Sequence, residues 1–317
     1  MPIKAFPELS YASNAQPRLK RWFIRSVEEL SGRDRFARLY DIWRSSIVPS
    51  GDMVFSRMLS LIDVAMHCDD QWPPERLPDS PLVIVANHPF GIGDGIAVLS
   101  LAERLGRPFR VMINAELLKV REIEPYSLPI DFSEGKDAVK SNMAVRHEAL
   151  RLLKAGVTIV IFPAGGVATA PRGFGLARDL PWKMFPARLI QEARAAVIPV
   201  HFSGQNGRLF HLVSHPMLAA EEGGGAFSRA LGPLSLTLRT SLLIREFARL
   251  SGKSIGVRIG RVLEWQELEP IRDRKLLTRH LQDAVLSLAP QDPTSQRRGT
   301  RIWHRLRRPA NFPGLAR

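Results

Sequence analysis

The stretch Val83 to Gly95 reads VIVANHPFGIGDG and sets His88 and Asp94 on either side of a glycine-rich turn, directly after an apolar run. A histidine at the carboxyl end of a buried strand is suited to general base work, and a carboxylate against its ring fixes the tautomer and stabilises the imidazolium. Six positions of separation do not bring the two side chains together on one helix, so the pair forms only if Gly91 and Gly93 let the chain fold back. A plainer reading uses the same residues: Asp94 caps a helix beginning at Gly95, and His88 is a satisfied, half-buried side chain. Two further loops leave apolar runs in the same way. GVTIVIF runs into Pro163-Ala-Gly-Gly-Val-Ala-Thr169, and Ile198-Pro-Val-His-Phe-Ser-Gly-Gln-Asn-Gly-Arg-Leu-Phe210 leaves a strand into a polar loop. Ligand sites of parallel α/β sheets gather at such carboxyl ends.

Several chemistries are excluded by spacing. A dinucleotide fingerprint needs G-x-G-x-x-G directly after the strand; here the glycines fall at 91, 93 and 95, with Ile96 where the third belongs. Neither G-x-x-x-x-G-K-S/T nor G-x-S-x-G occurs, and there is no H-E-x-x-H. One histidine and one aspartate supply at most two metal ligands, so no metal is expected. His201 alternates with Val200 and Phe202 in a strand pattern and reads as structural.

The elements that would carry these loops alternate. Apolar runs at Leu82–Ala86, Phe109–Ile113, Val157–Phe162 and Val197–Phe202 are separated by helical patterns at about 95–105, 138–154 and 184–194. Such alternation predicts an α/β fold with a mostly parallel central sheet flanked by helices, its strands buried on both faces. Gly156 is the expected stop of the helix ending LRLLKAG. A further helix is expected over Leu236–Leu250, after the flexible EEGGG at 221–225, followed by a strand in SIGVRIGRVL. Ahead of the sheet, residues 18–30 and Phe55–Met66 read as apolar-faced helices, with Cys68 an inert core residue at the end of the second. WPPERLPDSP cannot continue a helix. The division expected is an N-terminal helical, membrane-associating region over 1–75, an α/β domain over 76–290 and a basic tail over 291–317.

The chain has 317 residues, 45% of them hydrophobic, enough to bury a large core. A net charge of +14 favours anionic partners, whether nucleic acid, acidic protein or anionic lipid. The single cysteine rules out an intramolecular disulfide, which fits a reducing compartment. The first residues lack the apolar core of a secretory signal, and the longest charge-free run is broken by Pro163 and Gly165-Gly166, so no membrane span is expected.

Taken together and in order, NHPFGIGDG, FPAGGVA and IPVHFSGQNGRLF resemble the motifs of the lysophospholipid (glycerolipid) acyltransferase superfamily, in particular its bacterial hemolysin-type branch with N-H-P-x-G-x-x-D-G. The resemblance covers roughly residues 75 to 265. It implies that His88 deprotonates an acceptor hydroxyl, which attacks an acyl thioester, while Asp94 holds the histidine. Asn87, Phe162, Pro163, Gly165, Gly166, Arg172 and Arg208 are the implied substrate-binding residues. The family's usual F-P-E-G departs here, with Ala164 at the acidic position, so lysophosphatidate is not the expected acceptor. Arg178, Lys183, Asn142 and Arg146 are further polar candidates. The implied function is transfer of a fatty acyl group from acyl-carrier protein or acyl-coenzyme A to the hydroxyl of a lysophospholipid or related lysolipid. No cofactor is implied beyond that acyl donor, because alcoholysis of a thioester needs a base and oxyanion stabilisation.

The implied place is the cytoplasmic side of the inner membrane, bound peripherally at an anionic surface. Residues 18–30, with Trp22 and Phe23 among four basic side chains, and the tail, with seven arginines from Pro293 onward around Trp303 and Leu306, have the character to bind there. Two alternatives stand beside this reading. One is a basic nucleic-acid-binding α/β protein without catalysis, disfavoured because basic motifs interleaved with stacking aromatics are missing. The other is a thioesterase or lipid hydrolase that uses the same dyad on water.

Overall fold

The computed structural model describes residues 33–131, 136–221, 239 and 242–290. The basic aromatic segment 18–30, the glycine-rich stretch after Glu221 and the arginine tail lie outside the described residues.

Two helices lead in, α1 (Arg33–Ile42) and α2 (Val54–Leu61), followed by β1 (Val64–Cys68). The α/β succession then runs β2 (Leu82–Ala86), α3 (Ile92–Glu103), β3 (Phe109–Asn114), β4 (Ser127–Ile130), α4 (Lys136–Lys154), β5 (Thr158–Ile161), α5 (Phe185–Ala193), β6 (Ala196–Ser203), α6 (Arg208–Glu221), β7 (Lys253–Ile259) and α7 (Arg274–Leu286). All seven strands join one sheet in the order β1-β7-β6-β2-β5-β3-β4. Every pairing is parallel except β6 with β7. The expected mostly parallel α/β architecture is therefore the one observed.

Its centre is β2. All five residues of LVIVA are buried, because parallel strands in mid-sheet are covered on both faces. Alternation sorts them: Leu82, Ile84 and Ala86 join the core beneath α2 and α3, while Val83 and Val85 join the core beneath α4, α5 and α7. Each large side chain so buried contributes about 1.5–3 kcal/mol. Gly156 ends α4 as expected, with φ at +84°, and the amide of Val157 donates to Leu152 O while that of Gly156 donates to Leu153 O.

Three expectations need correction. The helix expected over Phe55–Met66 stops at Leu61, because Asp63 takes a left-handed conformation (φ +59°) and the chain turns into β1. Met66 and Cys68 therefore sit on an edge strand whose burial alternates. Cys68 is half-buried, and burial pushes its thiol up from the ordinary range. The other two corrections are omissions: β4, a four-residue edge strand containing Pro129, and α6, which opens at Arg208 where only a polar loop was read.

Candidate active site

The carboxyl ends of β2, β5 and β6 lie side by side, since β2 pairs in parallel with both of the others. Asn87, the first residue past β2, extends that ladder with its side chain: its Nδ2 donates to Phe202 O (2.9 Å) and its Oδ1 accepts from Phe202 N (2.7 Å). His88 follows. The chain then reverses at Gly91, whose φ of +83° with ψ of −97° is open to glycine alone, and α3 starts one residue later. A Cβ on Gly91 would also stand 3.0 Å from Leu243 Cδ2 and 3.1 Å from Val167 Cγ2.

This reversal brings the dyad together. His88 Nδ1 and Asp94 Oδ1 are 3.0 Å apart, and Asp94 is fully buried while the His88 side chain retains 17% exposure. The contact lacks hydrogen-bond alignment, and neither atom has another hydrogen-bond partner. Catalytic hydrogen bonds are often poorly aligned before substrate binds and tighten when it docks. The other carboxylate oxygen of Asp94 accepts from Phe90 N (2.8 Å), so Asp94 pins the turn as well as facing the histidine. The capping role expected under the plainer reading is thus replaced: the helix begins at Ile92 with Gly91 at its N-cap, and Asp94 reaches back from the first turn. With Nδ1 turned to the carboxylate, Nε2 is the nitrogen left for a proton on substrate.

The second loop closes over the first. Phe162 stacks on the His88 ring with centroids 4.1 Å apart, and the Ala168 amide donates to His88 O (2.7 Å). Within the loop the Gly165 amide donates to Phe162 O and the Lys183 amide to Pro163 O. Ala164 is only 1% exposed and packs into the core beneath α4 and α5. Behind the loop, the buried Arg239 donates to Val167 O and lies over the Phe210 ring, 5.3 Å from its centroid. His211 Nδ1 accepts from the Ala170 amide (3.3 Å), and burial lowers the pKa of that ring.

Asp179 is a residue that motif reading missed. Its Oδ1 accepts from the His88 amide (3.1 Å) and its Oδ2 from Trp182 Nε1 (3.0 Å). Burial pushes this carboxyl up, against the lowering effect of those two hydrogen bonds. It stands 91 positions from His88, in a segment with no strand or helix periodicity to mark it. The buried Glu246 was missed too; it accepts from the Gly207 amide (2.6 Å) and so fixes the start of α6.

The remaining candidates divide. Phe162, Pro163, Gly165 and Gly166 belong to one loop, which meets His88 through the Phe162 ring and the Ala168 amide. Asn87 spends its amide on the Phe202 backbone. Arg172 and Arg208 are exposed, on the continuation of the second loop and at the first residue of α6. Asn142 bonds the Asp131 backbone on both sides (2.7 and 2.9 Å), and Arg146 stacks on Phe185 at 4.8 Å, so both serve packing. Asn206 is buried, with Nδ2 3.5 Å from Phe90 O, and shapes the turn there. Among the described residues no group of three His, Cys, Asp or Glu side chains is placed to hold a metal ion, and no helix is long and apolar enough to cross a membrane.

A family profile described as acyltransferase matches residues 72–272. The chain is 28% identical over 224 residues to the lyso-glycine lipid O-acyltransferase of Bacteroides thetaiotaomicron, covering 68% of this chain and 72% of that protein. It is 25% identical over 222 residues to the protein of the same name from Phocaeicola vulgatus, covering 68% and 71%. Among solved structures, the 1-acyl-sn-glycerophosphate acyltransferase of Thermotoga maritima aligns over 89% of this chain and 96% of its own, at 15% identity and a TM-score of 0.47.

Proposed function

The chain belongs to the acyltransferase family and is an acyl-transfer enzyme, and from that premise we propose that it esterifies the hydroxyl of a lysolipid, with His88 as general base and Asp94 as its orienting partner. The observation that carries the reading is the 3.0 Å approach of His88 Nδ1 to a fully buried carboxylate, inside the span the family profile matches. In the proposed reaction His88 Nε2 takes the proton of the acceptor hydroxyl as its oxygen adds to the thioester carbonyl. The tetrahedral intermediate collapses to the ester, and the thiolate of the donor leaves with the proton that His88 carried. The donor is acyl-carrier protein or acyl-coenzyme A. The amides of Gly166 and Val167, between the Gly165 and Ala168 amides that backbone oxygens occupy, are the proposed oxyanion donors.

The acceptor favoured is a lysolipid with an anionic amino-acid headgroup, as the names of the two bacterial relatives suggest for those proteins. The exposed Arg172 and Arg208 supply cations to attract such a headgroup. Peripheral attachment at the cytoplasmic face of the inner membrane belongs to the same proposal.

The test is transfer of a labelled acyl group from its thioester, with and without lyso-glycine lipid or lysophosphatidate. His88→Ala is expected to lose about 10² to 10⁴ in rate with the fold intact by circular dichroism. Retention of most lysolipid-dependent transfer by that variant defeats the mechanism, and thioester breakdown that ignores added lysolipid identifies a hydrolase instead.

A further inference from the structure

The second loop does not end at the dyad. Past Thr169 it continues through Phe174 and Leu176, which are 68% and 75% exposed, and lies against α6, where Leu212 is 61% exposed. Singly such residues are ordinary on a protein surface; grouped on two touching segments they mark an interaction site. The segments do touch. Gly173 lies against Leu212, whose Cα would stand 3.4 Å from a Cβ built there. The loop backbone is also pinned: Thr169 and Arg178 exchange two hydrogen bonds (2.9 and 3.1 Å), Gln205 Nε2 donates to Gly175 O (3.0 Å), and Ala177 N donates to Gln205 Oε1 (2.9 Å). The apolar tips thus project from a held loop. Exposed arginines frame them, Arg172 and Arg178 on the loop and Arg208 at the start of α6.

We infer that this patch is the surface by which the enzyme seats itself on an anionic lipid bilayer, at the mouth of the His88 site. Charge decides between occupants. A second copy would bring the same arginines against these, whereas anionic headgroups neutralise them while the acyl region takes Phe174, Leu176 and Leu212. Position agrees, since both ends of this segment are bonded to the His88 backbone, Ala168 through its amide and Asp179 through its carboxylate. The inference rests on the acceptor being a lipid.

The full chain with Leu176→Cys in a Cys68→Ala background carries an environment-sensitive dye at the loop tip, and Arg279→Cys in the same background carries it on α7. On vesicles of equimolar phosphatidylcholine and phosphatidylglycerol, the dye at 176 is expected to shift to the blue and lose access to an aqueous quencher, while the dye at 279 does neither. The double variant Phe174→Ser, Leu176→Ser is expected to partition onto these vesicles roughly tenfold less well or worse. Its transfer to vesicle-held lysolipid should fall in step, while transfer to lysolipid in detergent micelles persists. An unshifted dye at 176 on vesicle-bound protein overturns the inference. So does a wild type that ignores the vesicles, or a double variant that only turns a dimer into a monomer. Absence of lysolipid transfer in the wild type would defeat the proposed reaction and leave the dye result standing by itself.

Discussion

Asp94 has two partners, and that makes substitution there informative. Asparagine keeps an oxygen for the Phe90 amide but sets an NH₂ group against His88 Nδ1, which favours the tautomer with the proton on Nε2, where a base cannot use it. Asp94→Asn is therefore expected to approach the loss of His88→Ala in turnover while leaving thermal stability nearly unchanged, a split that activity and melting measured on one preparation will show. Ala164 behaves differently. From sequence, an acidic residue placed there would face the acceptor; in the structure its methyl group is in the core, and a glutamate would carry a charge into a space lined by apolar side chains. Ala164→Glu should destabilise the fold by about 3 kcal/mol or more before it alters substrate choice, readable as a lowered urea midpoint. A fully stable variant with changed acceptor preference would mean that this loop turns outward.

At the level of elements, the glycines of GIGDG do unlike work. Gly91 supplies the reversal. Gly93 lies within α3, where a Cβ would stand 2.4 Å from Leu250 Cδ1, and Gly95 has open space around its Cβ position. Gly91→Ala should cost about 1–3 kcal/mol in backbone strain and most of the activity, because the dyad spacing hangs on that turn. Gly95→Ala should be neutral or stabilise α3 by about 0.5–1 kcal/mol. Urea denaturation of both variants checks the contrast, and equal losses would show that the turn does not depend on φ at position 91. The central strands were legible because being buried on both faces leaves long apolar runs, and the dyad was legible because its partners share one loop. Less could be read where the cause is distant in sequence. The short β1 carries only three alternating apolar residues, β4 contains a proline, and the antiparallel pairing of β6 with β7 joins segments some fifty residues apart. Asp179 belongs to the same class, since only the folded chain shows that it holds the His88 amide.

For the whole molecule, buried groups set opposing responses to acid, two histidines on one side and one carboxyl on the other. His201 lies in β6, between β2 and β7, and burial lowers its pKa from 6.5 to about 4. Below pH 6.5 the unfolded chain binds this proton while the folded one does not, so stability falls as pH drops from 6.5 toward 4, by up to about 3 kcal/mol for that shift. His211, lowered by burial as well, adds to the loss with the same sign. Asp179 works against them, because a carboxyl raised by burial takes up its proton more readily when folded, which favours the folded state as pH falls through its own range. His201→Gln removes one titration without removing a polar side chain from the strand, so urea midpoints measured between pH 7 and pH 5 should decline less steeply in the variant than in the wild type, whatever its absolute stability. Parallel declines would place the source of acid sensitivity outside β6, and a steeper decline in the variant would reverse the sign argued here.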